Sequence, residues 1–231
     1  MTFQRAQARP TRLSHARAPA WFVVLAGSLA TSAHAQLRLD ITQGVRDALP
    51  IAVVPFGGQA EGGPNDVAAV IAGDLQLSGR FKPLERRDLV ARPTRGEQVR
   101  FEDWRLLKSD VLVIGHVAPD ASGLAVEFEL FNVQTGQQLL TKRLVTSERG
   151  LRATAHRIAD LIFERLTGIP GAFSTRIAYV AVDGRPPRQR YRLMVADADG
   201  YGPRIVTESS EPIMSPAWSP DGQSLAYVSF E

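Results

Sequence analysis

The sequence has 231 residues, 44% of them apolar and none of them cysteine, with 27 Lys and Arg against 24 Asp and Glu for a formal net charge of +3. Without cysteine there are no disulfides and no thiolate chemistry, so the fold must rest on buried apolar surface. The positive surplus lies in the first 17 residues, where Arg5, Arg9, Arg12 and Arg17 occur with no acid; the remaining 23 basic residues face 24 acidic ones, which excludes the massed basic track that nucleic acid requires.

These arginines precede thirteen uncharged residues, Ala18 to Ala30, fewer than the roughly 20 that span a bilayer. Ala33-His34-Ala35 then offers the small-x-small pattern of a signal-peptidase site. The expectation is a leader over 1–35, cleavage after Ala35, an exported mature chain beginning at Gln36 and no later transmembrane segment.

Leu37, Leu39 and Ile41 alternate with Arg38 and Asp40 as a short strand, and Gly44 and Pro50 break the pattern. The continuous β-branched run Ile51 to Phe56 predicts a strand buried on both faces, followed by the glycine-rich loop 57–64. Asn65 is the expected cap of a helix whose inner face carries Val67, Val70, Ile71 and Leu75 and which Gly79 stops. After a short strand and turn around Phe81 to Val90, Val111 to Gly115 reads as a second buried strand. Leu124 to Asn132 pairs with Gln138 to Val145 as a hairpin across Val133 to Gly136. Leu151, Ala155, Ile158, Ala159, Ile162 and Leu166 make the stripe of a second helix, with Ser147 as its cap and Gly168 and Pro170 as its stop. Residues 36–170 are therefore expected to form an α/β domain with a mixed sheet and two main helices.

Within that domain, Gly58 and Gly63 have phosphate-loop spacing, but Pro64 and Asn65 stand where Lys and Ser or Thr would have to hold phosphate and metal, leaving a surface loop. His116 and His156, the only histidines after the leader, have no cysteine partners for a zinc site and no nucleophile elbow to serve; both are read as structural. Glu127 and Glu129 share one strand face, with Lys142 and Arg143 expected to neutralise them across the hairpin. No catalytic residue, cofactor site or metal site is assigned.

After Pro170 the chain repeats itself. Ile177-Ala178-Tyr179-Val180 recurs as Leu225-Ala226-Tyr227-Val228, an offset of 48 residues, close to the length of one four-stranded propeller blade. Between the copies lie Tyr191 to Ala196, a turn at Asp197 to Gly200, a return at Arg204 to Thr207, and a hairpin entry at Trp218 to Gly222. Asp197 and Asp199 read as turn formers, and Arg185, Arg188, Arg190 and Arg192 as a solvated hairpin tip or a patch for an acidic partner. Residues 171–231 are thus expected to hold a first blade and, from Leu225, one strand of a second, with most of a propeller missing and several apolar side chains left wet.

The mature start Gln36 to Val45, the run Pro50 to Phe56, Gly171-Ala172-Phe173 leading into Ile177 to Val180, and Pro216 to Gly222 together resemble the TolB family of the periplasmic Tol-Pal system. The resemblance implies an α/β domain followed by a six-bladed propeller, and a periplasmic scaffold that links TolA to the lipoprotein Pal and supports outer-membrane integrity and cell division. It also implies that the TolA-binding segment is Gln36, Leu37, Arg38, Leu39, Asp40, Ile41, Thr42, Gln43, Gly44 and Val45, and that Pal is bound by the propeller. Two other readings stay open: an exported propeller-bearing peptidase, and a propeller protein with some other periplasmic partner.

Overall fold

The computed structural model describes residues 48–231. The expected strand at Leu37 to Ile41 and the whole leader lie outside these residues.

The α/β part is built on β1 (Leu49–Val53), whose apolar run is buried because both of its faces are covered. It lies parallel to β2 (Phe81–Pro83) on one side and to β3 (Val111–Asp120) on the other. The antiparallel strands β4 (Gly123–Asn132) and β5 (Gln138–Thr146) complete a mixed sheet of order β2-β1-β3-β4-β5. Ile51 and Val53 enter one core with Val113, Phe128 and Leu130. That core is closed by α1 (Val67–Leu77) and α3 (Leu151–Thr167), through Val67, Ile71 and Leu75 of the first helix and Ile158 and Ile162 of the second.

Ala52 and Val54 enter a smaller core on the other face with Leu112, Ile114 and Phe131, closed by the fully buried Trp104 of α2 (Phe101–Leu106). This six-residue helix has no counterpart in the sequence reading, because one and a half turns are too short for an amphipathic period to show. Two further boundaries differ from expectation. The cap of α1 is Asp66, one residue after Asn65: its carboxylate accepts from Ala69 N at 3.0 Å and Gly62 N at 2.7 Å, and Arg86 pairs with it at 2.8 Å. Strand β3 runs on past Gly115 to Asp120, since Gly115 breaks nothing; a Cβ there would press into the Phe56 ring and the Glu127 carbonyl. Ser147 caps a 3-10 turn over Glu148–Gly150 that leads into α3, and Gly168 ends the helix in the left-handed conformation at φ +73°.

The remaining chain is all β. Strands β6 (Arg176–Asp183), β7 (Arg190–Asp197) and β8 (Arg204–Ser209) form an antiparallel sheet, and among the described residues β9 (Ile213–Trp218) pairs with β10 (Leu225–Ser229) alone. The chain therefore leaves the first sheet one strand earlier than the 48-residue repeat indicates, and the second sheet holds two strands here, not one. The two sheets are tied by Arg176, which stacks on Trp218 at 4.9 Å and donates to the Gly222 carbonyl at 2.8 Å. Leu193, Val195 and Ile213 are buried, while Ile205, Val206, Met214, Val228 and Phe230 are about half exposed, as an open propeller edge requires.

Replacing the α1 cap tests the α/β core. Asp66→Ala removes two backbone acceptor contacts and the partner of Arg86, and should lower unfolding stability by about 1–3 kcal/mol, whereas Asp66→Asn, which keeps the cap, should cost less. Urea titration followed by far-UV circular dichroism measures both; equal losses would show that the ion pair, not the cap, matters.

Candidate functional site

Among the described residues, several of the groups singled out in the sequence make contacts within the fold. The Gly57 N–H is bonded to Gly115 O at 3.0 Å and the Gly62 N–H to Asp66, so these donors of the loop face the protein and not a phosphate. Gly58, at φ +77°, lies against the Val117 carbonyl, where a Cβ would collide. His116 and Glu127 stand 3.4 Å apart at the wall of a cleft of about 560 Å³ on the β4–β5 face. Glu127 accepts from Arg143 Nε at 3.1 Å, as the hairpin register predicts. Glu129 differs: it accepts from Gly96 N at 2.9 Å and Gln138 Nε2 at 2.6 Å, and Lys142 pairs with neither acid. Arg143 also holds Asp120, whose carboxyl is pulled down to about 2 by the Ser122 backbone N–H and then by Arg143. The arginine cluster is half neutralised, Arg190 by Glu208 at 2.7 Å and Arg192 by Asp183.

The group that sequence reasoning missed lies on α3, where Arg152, His156 and Asp160 follow one another at intervals of four and so share a face. The apolar stripe of the helix turns toward the sheet; this polar row meets α1 and the first propeller sheet. Asp160 is buried and accepts from Phe173 N at 2.7 Å, from Ser174 N at 3.2 Å and from the Ser174 hydroxyl. It thereby fixes the path from α3 into β6. Gly171 is required beside it, since a Cβ would meet the Asp160 backbone at 2.6 Å, and Phe173 packs edge-on against Phe163 at 5.5 Å.

Arg152 reaches the turn after β7. Its guanidinium lies against Asp199, 3.4 Å from Asp197 Oδ2, over the Tyr201 ring at 3.9 Å from its centroid, and it donates to Pro64 O at 3.0 Å. The turn is shaped for this, with Tyr201 N donating to Asp199 Oδ1 at 3.0 Å and Ala198 N to Thr175 O at 3.1 Å. Asp197 and Asp199 are thus more than turn formers. Beneath Arg152, His156 Nδ1 is 2.7 Å from Asp74 Oδ2 of α1; both side chains are about 2–3% exposed. Its Nε2 has no hydrogen-bond partner among the described residues and faces Asp197 Oδ2 and Asp199 Oδ2 at 3.9 and 4.0 Å. Burial raises Asp74 above the usual carboxylate value. Burial alone would lower His156, but the bond and charge of Asp74, with the charge of Asp199, outweigh it and Arg152, leaving the imidazole above its ordinary 6.5. Asp74, His156 and Asp199 are spaced closely enough to suggest a metal, yet Nδ1 is committed to Asp74 and the Arg152 guanidinium already occupies the Asp199 carboxylate.

These features define a class: an α/β domain of mixed sheet that carries the opening sheets of a β-propeller through a buried polar joint. Residues 37–139 match the family profile described as the TolB amino-terminal domain, and residues 163–231 that of the TolB beta propeller domain. The Tol-Pal system protein TolB of Nitrosococcus oceani is 50% identical over 202 residues, 87% of this chain and 46% of that protein. The protein of the same name from Thioalkalivibrio sulfidiphilus is 46% identical over 206 residues, 88% of this chain and 47% of its own. The crystal structure of TolB from Acinetobacter baumannii superposes with a TM-score of 0.70 at 38% identity, covering 80% of this chain and 44% of that one.

The chain belongs to the TolB family. It spans about half the length of the curated relatives it matches. The segment Gln36 to Val45 lies outside the described residues. No described helix is long and apolar enough to cross a membrane.

Removing the acceptor that fixes the start of β6 tests the joint. Asp160→Ala should cost about 2 kcal/mol and raise amide exchange at Phe173 and Ser174 and along β6, with little change in β3. Exchange rising equally in β3 and β6 would mean that Asp160 supports the whole core and not the joint.

Proposed function

We propose that this chain acts as a periplasmic protein-interaction scaffold of the Tol-Pal system, binding TolA through its mature N-terminal segment and Pal through its propeller, in the maintenance of outer-membrane integrity and cell division. The observation that carries this reading is the ordered pair of TolB matches, amino-terminal domain and then propeller, together with relatives named Tol-Pal system proteins. In this reading residues 1–35 are a leader removed on export, 36–170 the α/β domain, and 171–231 the first part of the propeller.

The TolA-binding element is Gln36 to Val45. Its alternation of Leu37, Leu39 and Ile41 with polar residues suits addition of a strand to a partner's sheet edge, where main-chain bonds supply affinity and alternate side chains supply specificity. Among the described residues, Glu127, Glu129 and His116 are engaged with Arg143, Gly96 and one another.

Deleting residues 36–45 from the full-length protein should abolish TolA binding in calorimetry while leaving its thermal transition unchanged. Undiminished binding by the deleted protein would overturn the assignment of the segment.

A further inference from the structure

We propose that His156 is a proton-operated fastener between the α/β domain and the first propeller sheet: as imidazolium it bridges Asp74 of α1 to Asp197 and Asp199 of the turn after β7, and as neutral imidazole it leaves that turn to Arg152 alone. The charges and the orphan nitrogen carry the inference. Three carboxylates, from Asp74, Asp197 and Asp199, converge on one guanidinium and one imidazole. With His156 neutral, the cluster holds two uncompensated negative charges in a site where Asp74 is almost fully buried. Donating Nδ1–H to Asp74 would then leave the Nε2 lone pair facing two carboxylates, an acceptor buried against acceptors.

Protonation compensates one of the two excess negative charges and removes the clash of acceptors. Nε2 becomes a donor aimed at Asp197 and Asp199, and a side-chain shift of about 1 Å closes 3.9–4.0 Å to a charge-assisted hydrogen bond. The imidazolium then joins three elements at once: α3, which carries it, α1 through Asp74, and the propeller turn through its two acids. The other charged groups nearby are held by ion pairs and hydrogen bonds, although Arg152 Nε, 3.4 Å from Asp197 Oδ2, makes no hydrogen bond among the described residues. Arg152, one turn earlier on α3, is spread over Asp197, Asp199, Tyr201 and Pro64 O, and Asp160, one turn later, is spent on Phe173 and Ser174.

The direction with pH follows from the balance already given. A histidine raised on folding contributes stability that is fully present below its ordinary 6.5 and is lost as pH rises through its higher folded value. Asp74, raised by burial, also favours the protonated folded form, but its window begins at 3.8, below that of the histidine. The joint should therefore be closed in mild acid and loosen through the neutral to alkaline range, shifting the propeller turn from a docked toward an undocked population. This goes beyond the scaffold reading and does not depend on which partners bind.

The test is made on the 231-residue chain. Nuclear magnetic resonance should find His156 titrating above its ordinary 6.5, and amide exchange corrected for intrinsic pH effects should show residues 197–207 losing about tenfold protection between pH 6 and pH 8.5, with residues 112–116 unchanged. His156→Gln should remove that pH dependence. A His156 that titrates at or below 6.5 in the unmodified protein overturns the proposal even if the variant fails to fold, as does an equal pH slope in a folded His156→Gln protein. Protection at pH 8.5 that is restored by added zinc and abolished by EDTA would also overturn it, in favour of a metal-held joint.

Discussion

The arrangement of this molecule depends on one helix being buried on two sides. Helix α3 offers Ala155, Ile158 and Ile162 to the sheet and the row Arg152, His156 and Asp160 to the propeller strands and α1. An apolar row there would have cohered equally well but without direction. Hydrogen bonds and ion pairs fix register, because each buried donor or acceptor must find its own partner or forfeit a desolvation cost of about 1–3 kcal/mol. Asp160 sets where β6 starts, Arg152 sets where the turn after β7 sits, and His156 is bonded to Asp74 of α1 beneath that turn.

The sheet beneath serves the same end. Burying β1 on both faces makes it a rigid centre, with Trp104 and α2 sealing the side away from α3. A helix packed on such a sheet is a firm platform, and side chains fixed on it hold a turn more exactly than loop residues would. The propeller strands supply less of their own support: Leu193, Val195 and Ile213 are covered, whereas Ile205, Val206 and Met214 present apolar surface to solvent. For that sheet the polar joint is a large share of what it has within the described residues.

Much of the α/β part was legible in the sequence, because its signals are local. The β-branched run at Ile51, the hairpin around Gly136 and the stripe of α3 each announce a period within a dozen residues. The cap of α1 was misplaced by one residue since Asn65 and Asp66 are both good caps, and only the geometry of Gly62 and Ala69 chooses between them. Trp104 stayed hidden in a helix too short to show a pattern. The joint was illegible for a different reason. Arg152, His156 and Asp160 look like the solvent face of an amphipathic helix, and Asp197 and Asp199 look like turn residues; the meeting of Arg152 and His156 with these acids, 41 to 47 positions apart in sequence, is a fact of tertiary structure. The one available signal was three titratable residues at intervals of four on a helix that also needed covering by later strands. The repeat at 48 residues announced the propeller, but not that β9 pairs with β10 and leaves the first sheet at three strands.

The contact between Arg152 and Asp199 is where the joint can be tested most directly. A double-mutant cycle with Arg152→Ala and Asp199→Ala, reading the opening free energy of β7 and β8 by amide exchange, measures that contact apart from other effects of either change. A polar joint that holds the propeller sheet to α3 predicts a coupling of about 1–3 kcal/mol confined to those strands. Additivity within about 0.5 kcal/mol would show that the two side chains are neighbours without being partners, and that the sheet is held by something else.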